Sequence, residues 1–238
     1  MTRFLIACVA AFALSALPAA GQMNVVQESF EDDGEGVRYT TSEICNDGSG
    51  DFFTRTDLSD VGTFYNISGI DGSFLYAAMD TDADPCTLTT ETLTFNEWTL
   101  QNCDMDALTV AALFAEDDDG SAQDWDADSA VRLEANIDGG GFQNLICFAA
   151  VGATNTEPAL DTDCDGAGDT PALTDTLAEF TGAIPGQPAT LQLRVVIENL
   201  TAGDEDIAFD NIRLQTGTAD IDCSVGNVPV DLQSFSID

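Results

Sequence analysis

Apolar residues in this chain recur at every second position and seldom at the three-to-four spacing of a helix. Leu191, Leu193, Val195 and Ile197 alternate with Gln192, Arg194, Val196 and Glu198, the pattern of a strand with one buried and one mostly solvated face. Thr and Val are plentiful, and turn residues return about every ten residues. This predicts strands at Asn24–Phe30, Val37–Ser42, Ser73–Met79, Thr87–Phe95, Leu108–Ala115, Ala130–Ile137, Gly141–Ala149, Leu177–Ala183, Thr190–Asn199, Ile207–Leu214 and Val228–Ile237. Asp138-Gly139-Gly140-Gly141 predicts a hairpin turn, since glycines accept the positive φ such turns need. No long 3.6-period segment, linker or internal repeat interrupts the pattern. The expectation is all-β: one two-sheet antiparallel β-sandwich over residues 23–238.

Residues 1–22 break that pattern and predict a secretory signal. Arg3 gives a positive start, Phe4–Leu17 is an apolar run, and Leu17-Pro18-Ala19-Ala20-Gly21 offers small residues for cleavage. The run is short of the twenty or so residues a bilayer span needs, and no later segment is apolar enough. Export without a membrane anchor is therefore expected. Cys8 would leave with the signal, and six cysteines would remain: Cys45, Cys86, Cys103, Cys147, Cys164 and Cys223. An even count in an exported chain favours disulfides. Joining near neighbours and then the two ends predicts Cys86–Cys103, Cys147–Cys164 and Cys45–Cys223.

Two segments carry a family resemblance. Gln27-Glu28-Ser29-Phe30-Glu31-Asp32-Asp33-Gly34 resembles the opening strand of extracellular jelly-roll modules, and Asp206-Ile207-Ala208-Phe209-Asp210-Asn211-Ile212-Arg213-Leu214 resembles their closing strand. The likeness is to MAM domains and carbohydrate-binding jelly rolls. It implies that the sandwich is a jelly roll, and that a structural Ca²⁺ lies between the first and last strands, held by Glu28 or Glu31 and by Asp210. Asp51–Asp57, Phe114–Gly120 and Pro229–Phe235 are similar to segments of secreted bacterial proteins.

Charge narrows the chemistry. Forty-three Asp and Glu face six basic residues, all arginine, for a formal net charge of −37. There is no histidine and no lysine. That excludes Ser-His-Asp and Cys-His catalysis, His-ligated zinc, lysine Schiff bases and the lysine-bearing phosphate loop. Nucleic acid is not an expected partner, because neutralising phosphates needs clustered Lys and Arg.

The acids cluster in long loops. Asp161-Thr162-Asp163-Cys164-Asp165-Gly166-Ala167-Gly168-Asp169 places oxygen ligands at positions 1, 3, 5 and 9 with Gly at 6, the spacing with which a loop wraps Ca²⁺. It matches the first nine positions of EF-hand-like loops and departs at position 12, where Ala172 stands for the bidentate Glu. A second cluster joins Glu116, Asp117, Asp118 and Asp119 to Asp124, Asp126 and Asp128, of which Glu116, Asp117, Asp119, Asp124, Asp126 and Asp128 are candidate cation ligands. Smaller groups lie at Asp80–Asp84 and Asp204–Asp210. Trp125 and Trp98, the only tryptophans, are candidates for stacking against a sugar ring.

The expected function is a secreted, calcium-stabilised binding or adhesion module for an extracellular glycan or matrix component, without catalysis. One alternative is a matrix, filament or surface protein that self-associates through Ca²⁺ and the Val228–Ile237 strand. A second is a glycan hydrolase built on a carboxylate pair, although no Glu-x-Asp-x-x-Glu pattern is present.

Overall fold

A computed structural model describes residues 23–101, 107–117, 125–217 and 224–226 of the protein. The described residues form two antiparallel sheets and no helix. The first sheet runs β12 (Ala178–Ala183), β8 (Thr109–Ala115), β14 (Asp206–Thr216), β5 (Leu75–Met79), β4 (Phe52–Thr56) and β3 (Cys45–Asn46), with β1 (Met23–Glu28) beside the end of β14. The second runs β11 (Pro158–Leu160), β10 (Phe142–Ala150), β9 (Ala130–Ile137), β13 (Thr190–Glu198), β6 (Thr90–Phe95) and β2 (Tyr39–Thr41). In it β7 (Trp98–Gln101) pairs with both β13 and β15 (Ser224–Gly226). The architecture is the expected β-sandwich of jelly-roll type.

Alternation fixes the inner faces. On β13, Leu191, Leu193, Val195 and Ile197 point into the core, opposite Ile137, Ala135, Leu133 and Val131 of β9. Aromatic rings dominate the space between the sheets. Phe209 lies 5.8 Å from Phe30, 5.5 Å from Tyr76 and 6.2 Å from Phe114, and Phe114 continues to Phe148 and Phe180. Such offset and edge-on pairs add to plain area burial.

The first sheet is covered on its outer face as well. Val61, Tyr65 and Ile67, from the segment between β4 and β5, pack with Leu177 over Phe52, Leu75, Ala77, Met79, Ala115 and Ala208. Both faces are thus dry, which is why β5 reads Leu-Tyr-Ala-Ala-Met with no polar position.

Ten of the predicted strands correspond to observed ones within a few residues, and Val228–Ile237 lies outside the described residues. The strands β3, β4, β7, β11 and β15 were not predicted. Four of them have two to four residues, too few for a period to show. β4 carries Phe52 on one face and Phe53 on the other, so it does not alternate.

Cys147–Cys164 forms as expected. The other pairing is a correction: Cys45 bonds Cys86, with Cα atoms 5.2 Å apart, rather than Cys223, and Cys86 therefore does not bond Cys103. The reason is topological. The chain crosses from the second sheet to the first between β2 and β3, which carries Cys45 to the turn that precedes β6 and holds Cys86. Cys103 and Cys223 lie outside the described residues.

Two outcomes follow from the packing. Digestion under non-reducing conditions should release Cys45 and Cys86 peptides as one linked species, and a Cys86–Cys103 species would contradict the fold. Phe209→Ala should cost roughly 3–5 kcal/mol in denaturant unfolding, because it empties the centre of the aromatic cluster.

Candidate cation and ligand site

The Asp161–Asp169 loop leaves β11 and folds back over the outer face of β10. Three backbone bonds hold it there: Asp161 N to Cys147 O (2.8 Å), Gly168 N to Ala150 O (3.0 Å) and Asp169 N to Leu160 O (2.8 Å). The Cys147–Cys164 disulfide pins its centre. Gly166 has φ of +93°, where a side chain would be strained, and a Cβ on Gly168 would fall 2.3 Å from Ala149 O. The two glycines are required respectively by the turn and by the close approach.

Within the loop Asp161 is buried, and its carboxylate accepts the N–H groups of Asp165 (3.2 Å) and Gly166 (2.8 Å). Asp169 accepts Thr162 N (3.0 Å) and the Thr162 hydroxyl (2.5 Å). These bonds bring one carboxylate oxygen each from Asp161, Asp163 and Asp169 within 4.8 Å of one another. Asp165 is not in that convergent set, and its Oδ1 accepts Ala167 N at 3.1 Å. Mutual repulsion shows on Asp163, which is exposed and is raised from the usual carboxylate range by Asp165 first, then by slight desolvation and by Asp161 and Asp169. Three hard oxygens at this separation on a tethered loop are donors of the kind a calcium shell uses, and fewer than the six to eight it needs.

On its other side the loop forms one wall of a cleft of about 390 Å³. Leu145, Ile146, Leu160, Pro171 and Phe180 give the cleft an apolar floor, and Asp161, Thr162, Glu179 and Thr181 give it a polar rim. The cleft opens between β10–β11 of the second sheet and β12, the edge strand of the first.

Between the first and last strands Asp210 and Glu31 lie near one another, and Glu28 is engaged elsewhere. At Asp210–Arg213 the β14 ladder shifts register against β8, and Asn211 takes a positive φ of 47°. At the same place β14 changes partner from β5 to β1. Asp210 is fully buried there, accepting Asp71 N (2.7 Å) and Asn211 N (2.6 Å). Burial, reinforced by Asp71 and Glu31, pushes it up to about 7 in spite of those bonds. Glu31 accepts Ser73 N (2.7 Å) and Phe74 N (2.9 Å). Glu28 is occupied otherwise: it is ion-paired with Arg38 and accepts Phe30 N at 2.9 Å. Arg55 donates to the carbonyls of Phe30 and Glu31. Among the described residues no group of three metal-ligating side chains converges at Glu31 and Asp210.

The second acidic cluster is only partly described, since Asp118, Asp119 and Asp124 lie outside the described residues. Glu116 is buried, and Asp117 N donates to Asp206 Oδ1 (3.0 Å). Asp126 N donates to Glu205, while Asp126 Oδ1 accepts Asn155 N (3.0 Å). The Asp128 carbonyl accepts the Asn199 amide (2.9 Å). These acids organise the loop ends around Glu205. Its two oxygens accept Asp126 N, the Ser129 hydroxyl, Thr201 N and Ala202 N. Sequence reasoning did not single out Glu205, and its only signal was membership of the Asp204–Asp210 group.

The stacking expectation for the tryptophans is overturned. Trp125 has no exposed surface, and its indole N–H donates to Asp206 O at 2.9 Å. Trp98 is 5% exposed and packs on Phe95 at 5.8 Å. A bulky ring flanked by aspartates reads as a loop residue, yet here the ring is folded inward.

No known family and no curated protein matches the chain in sequence. The solved structures it resembles include carbohydrate-binding and adhesin β-sandwich modules. The K1 cleaved adhesin domain of Lys-gingipain from Porphyromonas gingivalis W83 is 14% identical over 80% of this chain and 97% of that one, with a TM-score of 0.44. The CBM22-1 xylan-binding domain of Paenibacillus barcinonensis Xyn10C is 12% identical over 86% and 100%, at 0.40. The mannan-recognising module TmCBM27 is 13% identical over 84% and 100%, at 0.37. Likeness at this level is one of general architecture and assigns no role to any residue.

Proposed function

We propose that the mature chain is an exported, non-catalytic binding module, stabilised by calcium, that takes an extracellular glycan in the cleft beside the Asp161–Asp169 loop. The carrying observation is that the disulfide-tethered loop with three convergent carboxylates is also the cleft wall. A cation held by Asp161, Asp163 and Asp169 cancels their repulsion and stiffens the wall against which a ligand packs. An apolar floor with hydroxyl and carboxylate groups at its rim suits a sugar, which presents C–H patches beside hydroxyl groups. Disulfides and the apolar leader support an oxidising, extracellular destination.

Calcium should raise the melting temperature of EDTA-treated protein where NaCl of equal ionic strength does not. Binding to the native state alone contributes about 2.7 kcal/mol at a hundredfold excess over Kd, or roughly 5–10 °C for a domain of this size. Asp163→Asn should remove most of that gain, with little effect on the metal-free protein. Equal shifts from calcium and salt would reduce the acids to a solvated coat.

Ligand binding is separable from metal binding. On a glycan array the calcium-loaded protein should retain a ligand that Thr181→Arg, which fills the cleft rim, no longer holds. Absence of any glycan hit together with calcium-dependent sedimentation would favour self-assembly. Release of reducing ends from a polysaccharide would favour hydrolysis.

A further inference from the structure

Glu91 occupies an inward position on β6, in line with Leu93 and Phe95, and has no exposed surface. One of its oxygens accepts the Ser42 hydroxyl, and the other, Oε1, has no donor to accept from. Glu43, next to Ser42 in the chain, is close enough to Glu91 for the two carboxyl groups to interact. Glu43 is held in place, because its two oxygens accept Thr87 N (2.7 Å) and the Thr87 hydroxyl (2.9 Å). The Cys45–Cys86 disulfide closes the same corner, where the chain crosses from the second sheet to the first.

No cation faces this pair among the described residues. Arg38 is bound to Glu28, Arg55 to Phe30 and Glu31, Arg132 and Arg194 to Glu134 and Glu198, and Arg213 to Glu179. From β13 the register partner of Glu91 is Ile197. From β5 comes Tyr76, which is bonded to Thr41 and has Glu35 nearby. Glu91 is dry while Glu43 is partly exposed, and a buried carboxyl group beside an anion, with no positive charge facing it, favours its protonated form. A hard metal ion wants six to eight oxygens, whereas this site adds only the hydroxyls of Ser42 and Thr87 and a disulfide whose sulfurs are already bonded. A proton needs the pair alone, and it converts Glu91 Oε1 from an orphaned acceptor into a donor.

We propose that Glu91 and Glu43 share a proton at neutral pH, forming a carboxyl–carboxylate hydrogen bond that latches the β2–β3 crossover to β6 and releases in alkali. Burial, with Glu43 adding, pushes Glu91 up to about 8. The folded state thus keeps a proton that the unfolded chain gives up in the ordinary glutamate range. Stability from this pair is complete in mild acid, declines as pH rises towards about 8, and is flat beyond. Asp210, pushed to about 7, and Asp80, to about 6, decline in the same direction, so the test must isolate Glu91.

The experiment compares melting temperature against pH, in EDTA, for the wild type, Glu91→Gln and Glu43→Gln. Wild type and Glu91→Gln should lie close together at pH 5 and separate by several degrees in favour of Glu91→Gln by pH 9. Glu43→Gln, which removes the neighbouring anion, should lower the pH at which Glu91 ionises in the folded state, so that the Glu91-dependent decline ends at lower pH and is smaller in total. Infrared difference spectra at pH 7 should show a protonated carboxyl carbonyl band in the wild type that Glu91→Gln lacks. If Glu91→Gln does not fold, the Glu43→Gln shift still decides the matter, since Asp210 also contributes to the wild-type band at pH 7. Parallel pH profiles with no such band would refute the shared proton. A stoichiometric metal ion lost in Glu91→Gln would replace it with a cation. Neither result bears on the calcium loop, whose ligands are different residues.

Discussion

Too few positive charges are available for the negative charges that the fold buries. Without Arg3 the chain has five arginines against forty-three acids, and Glu28, Glu91, Glu116, Glu134, Glu205, Asp161, Asp206 and Asp210 are all buried. An ionised carboxylate out of water must be compensated, or it will take up a proton instead. Arginine serves Glu28 and Glu134. Backbone N–H groups serve Asp161, Glu205 and Asp210. Once those means are used, the proposed proton on Glu91 and the proposed cation at the Asp161 loop are further ways to balance charge.

The same constraint shapes the loops. A carboxylate that accepts two or three N–H groups stops the chain from wandering, so such an acid is a local organiser whether buried, as Glu205 is, or exposed, as Glu31 is. Glu205 gathers the segments at 126, 129 and 201–202, and Glu31 holds the turn at 73–74. The sandwich supplies the rigid frame. Its aromatic core fixes the spacing of the sheets, and the two described disulfides tie the outer corners on which the carboxylate groups sit. The cleft exists because the sheets part at β12 and β10, while nearer Gly182 they close so tightly that a Cβ would meet Leu145 at 2.8 Å.

Much of this was legible in the residues. Period-two alternation is a local property, and it survives wherever one face of a strand stays wet, as on β9 and β13. It fades on β4, β5 and β14, whose sheet is dry on both faces, and it has no room to register on two- or three-residue strands such as β3 and β11. The ligand-like spacing of Asp161, Asp163 and Asp169 was legible for a similar reason, since a nine-residue loop brings its own side chains together.

What joins distant segments was decided only by the tertiary structure. Cysteine spacing led to Cys86–Cys103, whereas the crossover between sheets delivers Cys45 to Cys86. The aspartates around Trp125 suggested exposure, whereas the loop turns the ring inward to Asp206 O. Glu43 and Glu91 lie far apart in sequence, with nothing to relate them until β2 and β6 pair in register. The sequence by itself determined the strands, the excess of acid and the shape of one loop, because each of these depends on neighbours within a few residues. Which acids are buried, which meet and which must keep a proton depend on how two sheets stack, and no local pattern records that.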